Sequence, residues 1–307
     1  MLSHYIWESR AEGEIVSDWL SQFASHPDVE NDEQIHALFL LSHFLYFGQD
    51  ELRFLLKSLY RDFIRAPILR DIRISNSDTR DQDFIEKKFQ CQLNRLRFLP
   101  VGNPAESGSH LLYYFRQEST LPKNLFIHTH EIFGRQPAGD SVELTLRYPN
   151  VSQYIFIDDL CGSGTQAKAY CRDVLRPLKI LSPNVEASYF VLFGTTKGLD
   201  AVKKLAEFDN VKAVFELDDT FKVLNVTSRI FLGEAGPFVR EKVRATCERY
   251  GQRLFPVHPL GYKDGQLIIG FNHNTPDNTL PIFWGGNEAE DGPWKPMFRR
   301  YHKVYGT

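Results

Sequence analysis

The residues with the clearest chemical potential lie in one short segment, 154–167, which reads YIFIDDLCGSGTQA. Two neighbouring carboxylates, Asp158 and Asp159, follow four apolar or aromatic residues, and a stretch rich in glycine and hydroxyl groups comes next. Glycines let backbone N–H groups approach a phosphate closely, and the start of a helix adds about half a unit of positive charge. Carboxylates can bind ribose hydroxyls or hold Mg²⁺. The segment therefore predicts a site for a sugar phosphate.

The predicted phosphate contacts come after the two carboxylates, from Cys161, Gly162, Ser163, Gly164, Thr165 and Gln166. This loop is not a P-loop, because GxxxxGK(S/T) is absent. It is not a dinucleotide fingerprint either, because the carboxylates precede the glycines instead of following about 20 residues later. The plainer alternative is that Asp158 and Asp159 are only the polar end of a strand.

The surrounding sequence predicts the elements that would position this loop. Apolar runs predict strands at 97–101, 124–128, 154–158, 187–193, 211–217 and 266–273. Helical patterns lie before and between them, at 84–96, 109–117, 166–178, 197–208 and 238–250. Apolar strands that alternate with helices predict a parallel sheet covered on both faces. Ligands of such sheets bind at the carboxyl ends of the strands.

The first part of the chain reads as helical, with helices predicted at 14–23, 31–47 and 50–65. The third of these is expected to end at Ala66 and Pro67. Four cations recur on it at every fourth residue, namely Arg53, Lys57, Arg61 and Arg65. Such a stripe could contact the phosphates of DNA. The alternative is a solvated helix face, which is the usual meaning of a run of charges.

Two further features remain open. His128 and His130 could ligate a metal, but no third ligand is evident, so they are equally read as ordinary histidines at a strand end. The stretch from Glu131 to Asp140 and the Tyr148–Asn150 turn could close over a ligand, although neither carries a diagnostic residue.

Composition narrows the class of protein. The chain has 307 residues and a formal net charge of −3, so it lacks the overall basic field of a nucleic-acid-binding protein. Its 4 cysteines match no zinc or redox spacing and are expected to be reduced thiols. Neither a signal peptide nor an apolar run long enough for a membrane span is present. We therefore expect a cytoplasmic protein without membrane contact.

The segment at 154–167 resembles the phosphoribosyl-pyrophosphate motif of type I phosphoribosyltransferases. The resemblance implies that Asp158 and Asp159 contact the ribose hydroxyls, with Mg²⁺ held by the same pair, and that 161–166 bind the 5′-phosphate. It also implies an earlier pyrophosphate loop, for which Ser107 and Gly108 at a helix start and Arg116 in that helix are the matching candidates. The usual Thr-Gly-Gly-Thr/Ser is here Ser163-Gly164-Thr165-Gln166, so the second glycine is lost.

A second resemblance lies near the C-terminus, where His-x-Thr-Pro-x-Asn-Thr-x-Pro-x-x-Trp spans 273–284. This element is similar to that of phosphoribosyltransferase-like effectors in bacterial conflict and defence loci, some encoded with retron reverse transcriptases. The resemblance implies a hood that brings His273 and Asn278 to the nucleobase or acceptor. It also implies a reverse transcriptase with its RNA–DNA hybrid product as a partner. The alternative is a structural cap whose Asn residues bond the backbone.

Together these features predict an α/β fold. We expect a Rossmann-like type I phosphoribosyltransferase core with a mostly parallel sheet, an N-terminal helical module (residues 1–75) and an irregular C-terminal hood (about 237–307) within a domain at 76–307. The resemblances imply a defence effector that binds a phosphoribosyl-containing nucleotide or metabolite and acts as a glycosyltransferase or nucleosidase. A non-catalytic component that senses nucleotides and binds DNA, and a metabolic phosphoribosyltransferase, are the alternatives.

Overall fold

A computed structural model describes residues 6–10, 12–102, 107–138, 141–232, 238–286 and 294–301. The α-helices are α1 (Gly13–Leu20), α2 (Glu33–Ser42), α3 (Gln49–Leu59), α4 (Ala66–Ile74), α5 (Gln82–Leu93), α6 (Ser107–Glu118), α7 (Thr165–Tyr170), α8 (Arg176–Leu181), α9 (Thr196–Lys203), α10 (Arg240–Leu254) and α11 (Pro281–Trp284). The strands are β1 (Leu45–Phe47), β2 (Leu96–Pro100), β3 (Phe133–Ala138), β4 (Ser141–Leu146), β5 (Gln153–Cys161), β6 (Glu186–Thr195), β7 (Asn210–Leu217) and β8 (Ile269–Phe271). None of the helices in these ranges is long and apolar enough to cross a membrane.

The chain divides into two compact units. The sheet unit comprises Arg53–Glu216, and the terminal unit comprises Met1–Leu52 together with Leu217–Thr307. The boundary expected after residue 75 lies inside the sheet unit. The predicted division into a helical module and a larger domain thus differs from the division by contacts, which joins the two ends of the chain in one unit.

The principal sheet has the strand order β2-β5-β6-β7. β2 and β5 run parallel, as do β5 and β6. Phe126 forms a parallel bridge with Phe98 of β2. After β2 the chain therefore passes to one side of that strand, at Phe126, and then returns to place β5 on the other side. Such a reversal of strand order opens a crevice at the carboxyl ends of β2 and β5, where ligands of parallel sheets bind.

The predicted parallel sheet is confirmed because its central strands are buried on both faces. Tyr154, Phe156 and Ile157 of β5 are at most 1% exposed, and so is Tyr189 of β6. The cluster around Tyr154 and Phe156 includes Leu175 and the residues of α7 and α8 that pack on the sheet. Continuous apolar strands are the pattern that a sheet covered by helices requires.

The predicted helix at 31–47 is wrong in its second half. α2 ends at Ser42, and β1 pairs in parallel with β8, Tyr46 lying opposite Gly270. The segment is apolar nearly all round, which suits either a buried helix or a buried strand. The segment forms a strand because it pairs with β8, more than two hundred residues away, and the local sequence does not reveal that partner.

The helix expected to end at Pro67 continues instead. A π-helical turn, Tyr60–Arg65, joins α3 to α4, which runs on to Ile74. Proline lacks an N–H donor and its ring collides with the carbonyl four residues earlier, so it normally breaks a helix. The π-helical turn directly before Pro67 is wider than an α-helical turn and accommodates the proline ring, so the chain stays helical.

Three other segments differ from expectation. The predicted strand at 124–128 is a short 3₁₀ turn, Lys123–Leu125, followed by the single bridge at Phe126. The stretch from Glu131 to Asp140, which the sequence suggests could close over a ligand, contains β3, which forms an antiparallel hairpin with β4. In β4, Val142, Leu144 and Leu146 alternate with polar residues, which is a strand pattern that the sequence analysis missed. Several side chains of the hairpin are exposed (Val142 by 68%). The predicted strand at 266–273 shortens to β8.

The terminal unit has an aromatic core shared by both ends of the chain. Trp19 of α1 is fully buried, stacks on Phe283 at 5.4 Å and donates from Nε1 to the carbonyl of Ile282. Phe23 packs edge-on against Tyr250 and Trp294. Aromatic pairs of this kind contribute about 0.5–1.5 kcal/mol beyond their buried area. The N-terminal helices therefore depend on the C-terminal residues for their core.

Candidate phosphate-binding site

The acidic pair lies inside a strand, not after it. β5 continues three residues past its predicted end, to Cys161, which pairs with Gly194 of β6. Asp158 is opposite Val191 in the same ladder. The strand's backbone therefore fixes both carboxylates, and the polar loop begins only at Gly162.

Asp158 is a buried carboxyl group, 5% exposed. One oxygen accepts a hydrogen bond from Tyr189 Oη at 3.1 Å, and the other accepts from the backbone N–H of Asp159 at 3.0 Å. Burial and the neighbouring charge of Asp159 raise the pKa of Asp158 well above its usual range. Burial likewise raises the pKa of Cys161 to about 12. This side of the strand is thus a closed, largely uncharged polar cluster.

Asp159 has a different environment. It is half-buried, and its Oδ1 accepts from the backbone N–H of Leu160 at 2.8 Å. No group of three metal-ligating side chains occurs in the described part of the chain. Mg²⁺ prefers accessible, ionised oxygens, so a Mg²⁺ ion shared by both carboxylates does not fit a pair of which one is buried and bonded to a tyrosine. Asp159 alone has the exposure that such a ligand needs.

The loop after β5 turns sharply into α7. Gly164 has a φ of +71°, a conformation that costs other residues roughly 1–2 kcal/mol. Ser163 Oγ lies 2.9 Å from Thr165 Oγ1, so both hydroxyls face the same turn. Gly164, which precedes the helix at Thr165, makes no side-chain cap, but Ser163 Oγ accepts from the backbone N–H of Thr165 at 3.4 Å. Backbone N–H groups at a helix start are usual partners of a phosphate.

The start of α9 supports this loop from behind. Thr195 Oγ1 donates to the carbonyl of Gly162 and accepts from the N–H of Gly198 at 2.9 Å. A Cβ on Gly198 would collide with the carbonyls of Cys161 and Gly162. A Cβ on Gly164 would lie 3.0 Å from the carbonyl of Gly198. Glycine is therefore required on both sides of the contact.

Thr195 and Gly198 were missed by the sequence analysis. They follow the predicted strand at 187–193, and a signal was available: Gly194-Thr195-Thr196-Lys197-Gly198 repeats the small and hydroxyl residues of the phosphate loop at the end of the next strand. Carboxyl ends of neighbouring parallel strands lie side by side, so such a stretch belongs to the same edge of the sheet.

The carboxyl end of β2 forms the other side of the crevice. Gly102 has a φ of +105°, and its carbonyl accepts from Tyr170 Oη at 2.7 Å. The same hydroxyl lies 3.1 Å from Thr129 Oγ1. Because Tyr170 ends α7, the helix that follows the phosphate loop is tied to the strand end across the crevice.

The proposed pyrophosphate loop is only partly visible, since 103–106 lie outside the described residues. Ser107 and Gly108 do begin α6, as predicted, and a Cβ on Gly108 would meet the carbonyl of Val101 at 2.9 Å. Arg116 lies in the last turn of the same helix. Nine residues of helix span about 13 Å, so the structure does not place Arg116 at the loop.

The hood candidates belong to the terminal unit. Asn278 is buried, and its side-chain amide donates to the carbonyl of Tyr262 at 3.2 Å. Its own carbonyl accepts from the N–H of Leu267. The ring of His273 stacks on Phe271 with centroids 5.5 Å apart. These contacts agree with the alternative of a structural cap for Asn278, and its predicted role at a nucleobase stays a prediction.

The cationic stripe is largely engaged by neighbours within the sheet unit. Arg53 is bound to Glu118 at 2.6 Å and lies over the ring of Tyr114. Arg61 pairs with Asp62, and Arg65 with Glu86. Lys57 is exposed. The predicted contact of the stripe with DNA remains a prediction, but three of its four cations are already bound to an acidic side chain.

His128 and His130 are neighbours in space as in sequence. Their rings stack in parallel with centroids 5.7 Å apart, and the Glu131 carboxylate accepts from the backbone N–H of His128 at 2.7 Å. Within the described ranges these two histidines belong to no cluster of three metal-ligating groups. Their contacts fit the alternative of ordinary local histidines.

An open parallel sheet that holds an acidic strand end, a glycine turn and a helix start at its switch point defines a phosphoribosyltransferase-like protein. The model of the PRTase-CE family matches residues 16–300, and the chain belongs to that family. No curated protein gives a significant match.

Three solved structures are similar in part. The AQ2163 protein from Aquifex aeolicus is 12% identical over 41% of this chain and 56% of its own, with a TM-score of 0.27. The xanthine-guanine-hypoxanthine phosphoribosyltransferase of Helicobacter pylori is 13% identical over 57% of this chain and 89% of its own, with a TM-score of 0.28. The orotate phosphoribosyltransferase of Aeropyrum pernix is 13% identical over 43% and 72%, with a TM-score of 0.25. The match thus spans little more than half of the Aquifex protein.

Proposed function

We propose that this protein binds a phosphoribosyl-containing nucleotide or metabolite at the turn from β5 into α7. The observation that carries the proposal is the contact between the Gly162–Thr165 turn and α9, which only glycines permit. This contact holds the start of α7 and the hydroxyls of Ser163 and Thr165 close together at the switch of strand order. A phosphate is the ligand that such a cradle suits best.

In the proposed complex, the 5′-phosphate accepts from the backbone N–H groups of the turn and from the hydroxyls of Ser163 and Thr165. Asp159 accepts from the ribose hydroxyls. Mg²⁺ would be held by Asp159 jointly with the ligand's own oxygens, and it would neutralise negative charge on those oxygens. Asp158 does not contact the ligand in this complex; it is a buried acid that fixes the end of β5 through its hydrogen bond with Tyr189.

The proposed chemistry is replacement of the group on ribose C1′. The bond from C1′ to a base or to diphosphate breaks with its electron pair leaving on that group, and an acceptor or water supplies the new bond. In the cell, the protein would serve as the effector of an antiviral defence system, with a retron reverse transcriptase and its RNA–DNA hybrid as partner. The resemblance of the late His273–Trp284 element supports this assignment.

Binding without turnover is the second candidate. It is favoured by Asp158, because a carboxyl group that is buried and bonded to Tyr189 is not offered to a ribose. The chain would then sense a nucleotide instead of transforming it. DNA contact through the helix at 53–65 has less support, since most cations of that stripe are paired within the unit.

A single set of variants tests these proposals. Ribose 5-phosphate and phosphoribosyl pyrophosphate are titrated calorimetrically into wild type and Asp159→Asn, with Asp173→Asn as a control, since Asp173 is an exposed acid paired only with Arg172. We expect the first substitution to weaken binding at least tenfold and the control to leave it unchanged. Equal affinities in all three proteins would refute the site.

Turnover is then followed by chromatography of a nucleotide pool incubated with each protein. Loss or gain of a species with wild type, absent with Asp159→Asn, supports ribosyl transfer or cleavage. Tight binding with an unchanged pool supports the sensing role. Phage challenge of cells carrying the wild-type locus or its Asp159→Asn variant tests the defence assignment, and equal plaque counts would refute it.

A further inference from the structure

A second cavity of about 580 Å³ lies entirely within the terminal unit. Its wall is formed by the start of the chain, by the residues just after β8 and by those at 294–301. Ligand sites for small molecules typically enclose roughly 300–1,000 Å³, so the size fits a metabolite. The phosphate-loop proposal does not use this cavity, although His273 of the late motif lines it.

The cavity carries a positive charge in an acidic chain. Arg10, Lys295 and Arg299 line it, against one carboxylate, Asp18, which Lys295 binds at 2.7 Å. Among the described residues no acidic side chain lies within ion-pair distance of Arg10 or Arg299. The whole chain has a net charge of −3, so this concentration of cations is a local feature. Two arginines without acidic partners favour an anionic group such as a phosphate.

The floor of the same cavity is aromatic. Tyr46, Phe271 and Phe298 line it and are each at most 8% exposed, so the core fixes their positions and leaves little of their ring faces open. Tyr301 also lines the cavity and is 60% exposed, so its ring has an open face. Asn272 adds a side-chain amide to the wall. An open tyrosine ring beside an amide suits a planar base, and arginines of the same cavity suit its phosphate.

From this combination we infer that the terminal unit holds a second binding site, for a nucleotide, which is separate from the phosphate loop. The base lies against the ring of Tyr301, and the phosphate is bound by Arg10 and Arg299. The site does not depend on the proposed function, because none of its lining residues belongs to the sheet unit.

Calorimetry with AMP, adenosine and ribose 5-phosphate tests this inference on the full chain. We expect Arg10→Ala combined with Arg299→Ala to weaken AMP binding at least tenfold at one site. Arg249→Ala is the matched control, as an arginine of the same unit with a 65% exposed side chain that pairs with Glu33 and does not line the cavity. Stacking predicts that AMP binds this site about tenfold more tightly than ribose 5-phosphate.

Asp159→Asn separates this site from the phosphate loop. If AMP binding in the double-arginine variant equals wild type, or if Arg249→Ala weakens it equally, the inference is overturned. If the double variant loses one site while Asp159→Asn changes nothing, the second site stands and the phosphate loop fails. If ribose 5-phosphate binds the arginine-dependent site as tightly as AMP, the assignment of Tyr301 to a base is wrong.

Discussion

Tyr189 and Tyr154 provide a matched test of the buried acid beside the phosphate loop. Both tyrosines are at most 1% exposed, on neighbouring strands. Tyr189 Oη donates to Asp158, whereas Tyr154 Oη is buried and makes no hydrogen bond among the described residues. The substitution Tyr→Phe removes the same atom in both places but leaves a buried carboxyl oxygen without its donor only in the first.

Leaving a buried polar group without its partner costs about 1–3 kcal/mol, so we expect Tyr189→Phe to lower the free energy of unfolding by that amount. Tyr154→Phe should be neutral or slightly stabilising, because it removes a buried hydroxyl that has no partner. Urea denaturation at constant pH measures both. Equal destabilisation of the two variants, or no effect at Tyr189, would show that the bond to Asp158 contributes nothing.

The raised pKa of Asp158 determines how the free energy of unfolding depends on pH. The pKa of Asp158 is raised in the folded state, while in the unfolded chain it is near 3.9. Above that pH the unfolded chain releases a proton that the folded protein retains. The free energy of unfolding therefore falls as the pH rises from about 4 toward the raised pKa.

Asp158→Asn should abolish this contribution, so its stability relative to wild type should increase with pH across that window. Asp159→Asn should reduce the effect, because the charge of Asp159 is the second cause of the raised pKa. Denaturation curves collected between pH 4 and 8 test both statements. A constant difference between Asp158→Asn and wild type over the whole range would refute the assignment of a buried, protonated acid.

Three further predictions follow from other contacts. Gly198→Ala should displace the phosphate loop and weaken ribose 5-phosphate binding at least tenfold, as measured by calorimetry. Gly13→Ala is the control, because its Cβ meets nothing within 4 Å and binding should be unchanged. Unchanged binding in Gly198→Ala would contradict the contact between the loop and α9. Arg53→Gln should lower the free energy of unfolding, measured by urea denaturation, by about 1–3 kcal/mol, because it leaves the half-buried Glu118 without its cationic partner. Arg61→Gln, at an exposed pair, should change it by less than about 0.5 kcal/mol. Only Cys91 should react with a thiol reagent at pH 8 in the folded protein, since the other three cysteines are buried; faster labelling of any of those would contradict their burial.

Much of the sheet could be predicted from the sequence, since buried parallel strands are continuous apolar runs. The ends of β2, β6 and β7 fall within two residues of their predicted positions. The turn from β5 into α7 was also predicted, because glycines and hydroxyls follow an apolar strand there, and its role as a phosphate site stays a prediction. The residues that indicate a turn between a strand and a helix are the same residues that are predicted to contact a phosphate.

Long-range pairings could not be predicted. Nothing near Leu45 indicates that β8 will pair with it, and nothing near Asp158 indicates that Tyr189, 31 residues later, will bond to it. The burial of Asp158 could not be predicted, because an acid that ends an apolar run looks accessible until its neighbours are known, and its contact with a ribose stays a prediction. The hairpin was missed although Val142, Leu144 and Leu146 alternate with polar residues in β4; its partner strand β3 shows no such alternation.

The terminal unit has a consequence for synthesis of the protein on the ribosome. Trp19 donates to the carbonyl of Ile282, 263 residues later, and this bond lies in a core that both ends of the chain build. At a synthesis rate of about 5–20 residues per second, the apolar faces of α1 and α2 remain without their partners for roughly 13–50 s. During that interval the residues of the sheet unit have all emerged and can fold among themselves. We therefore expect α1 and α2 to be the segment most in need of a chaperone, although they are synthesised before the sheet unit.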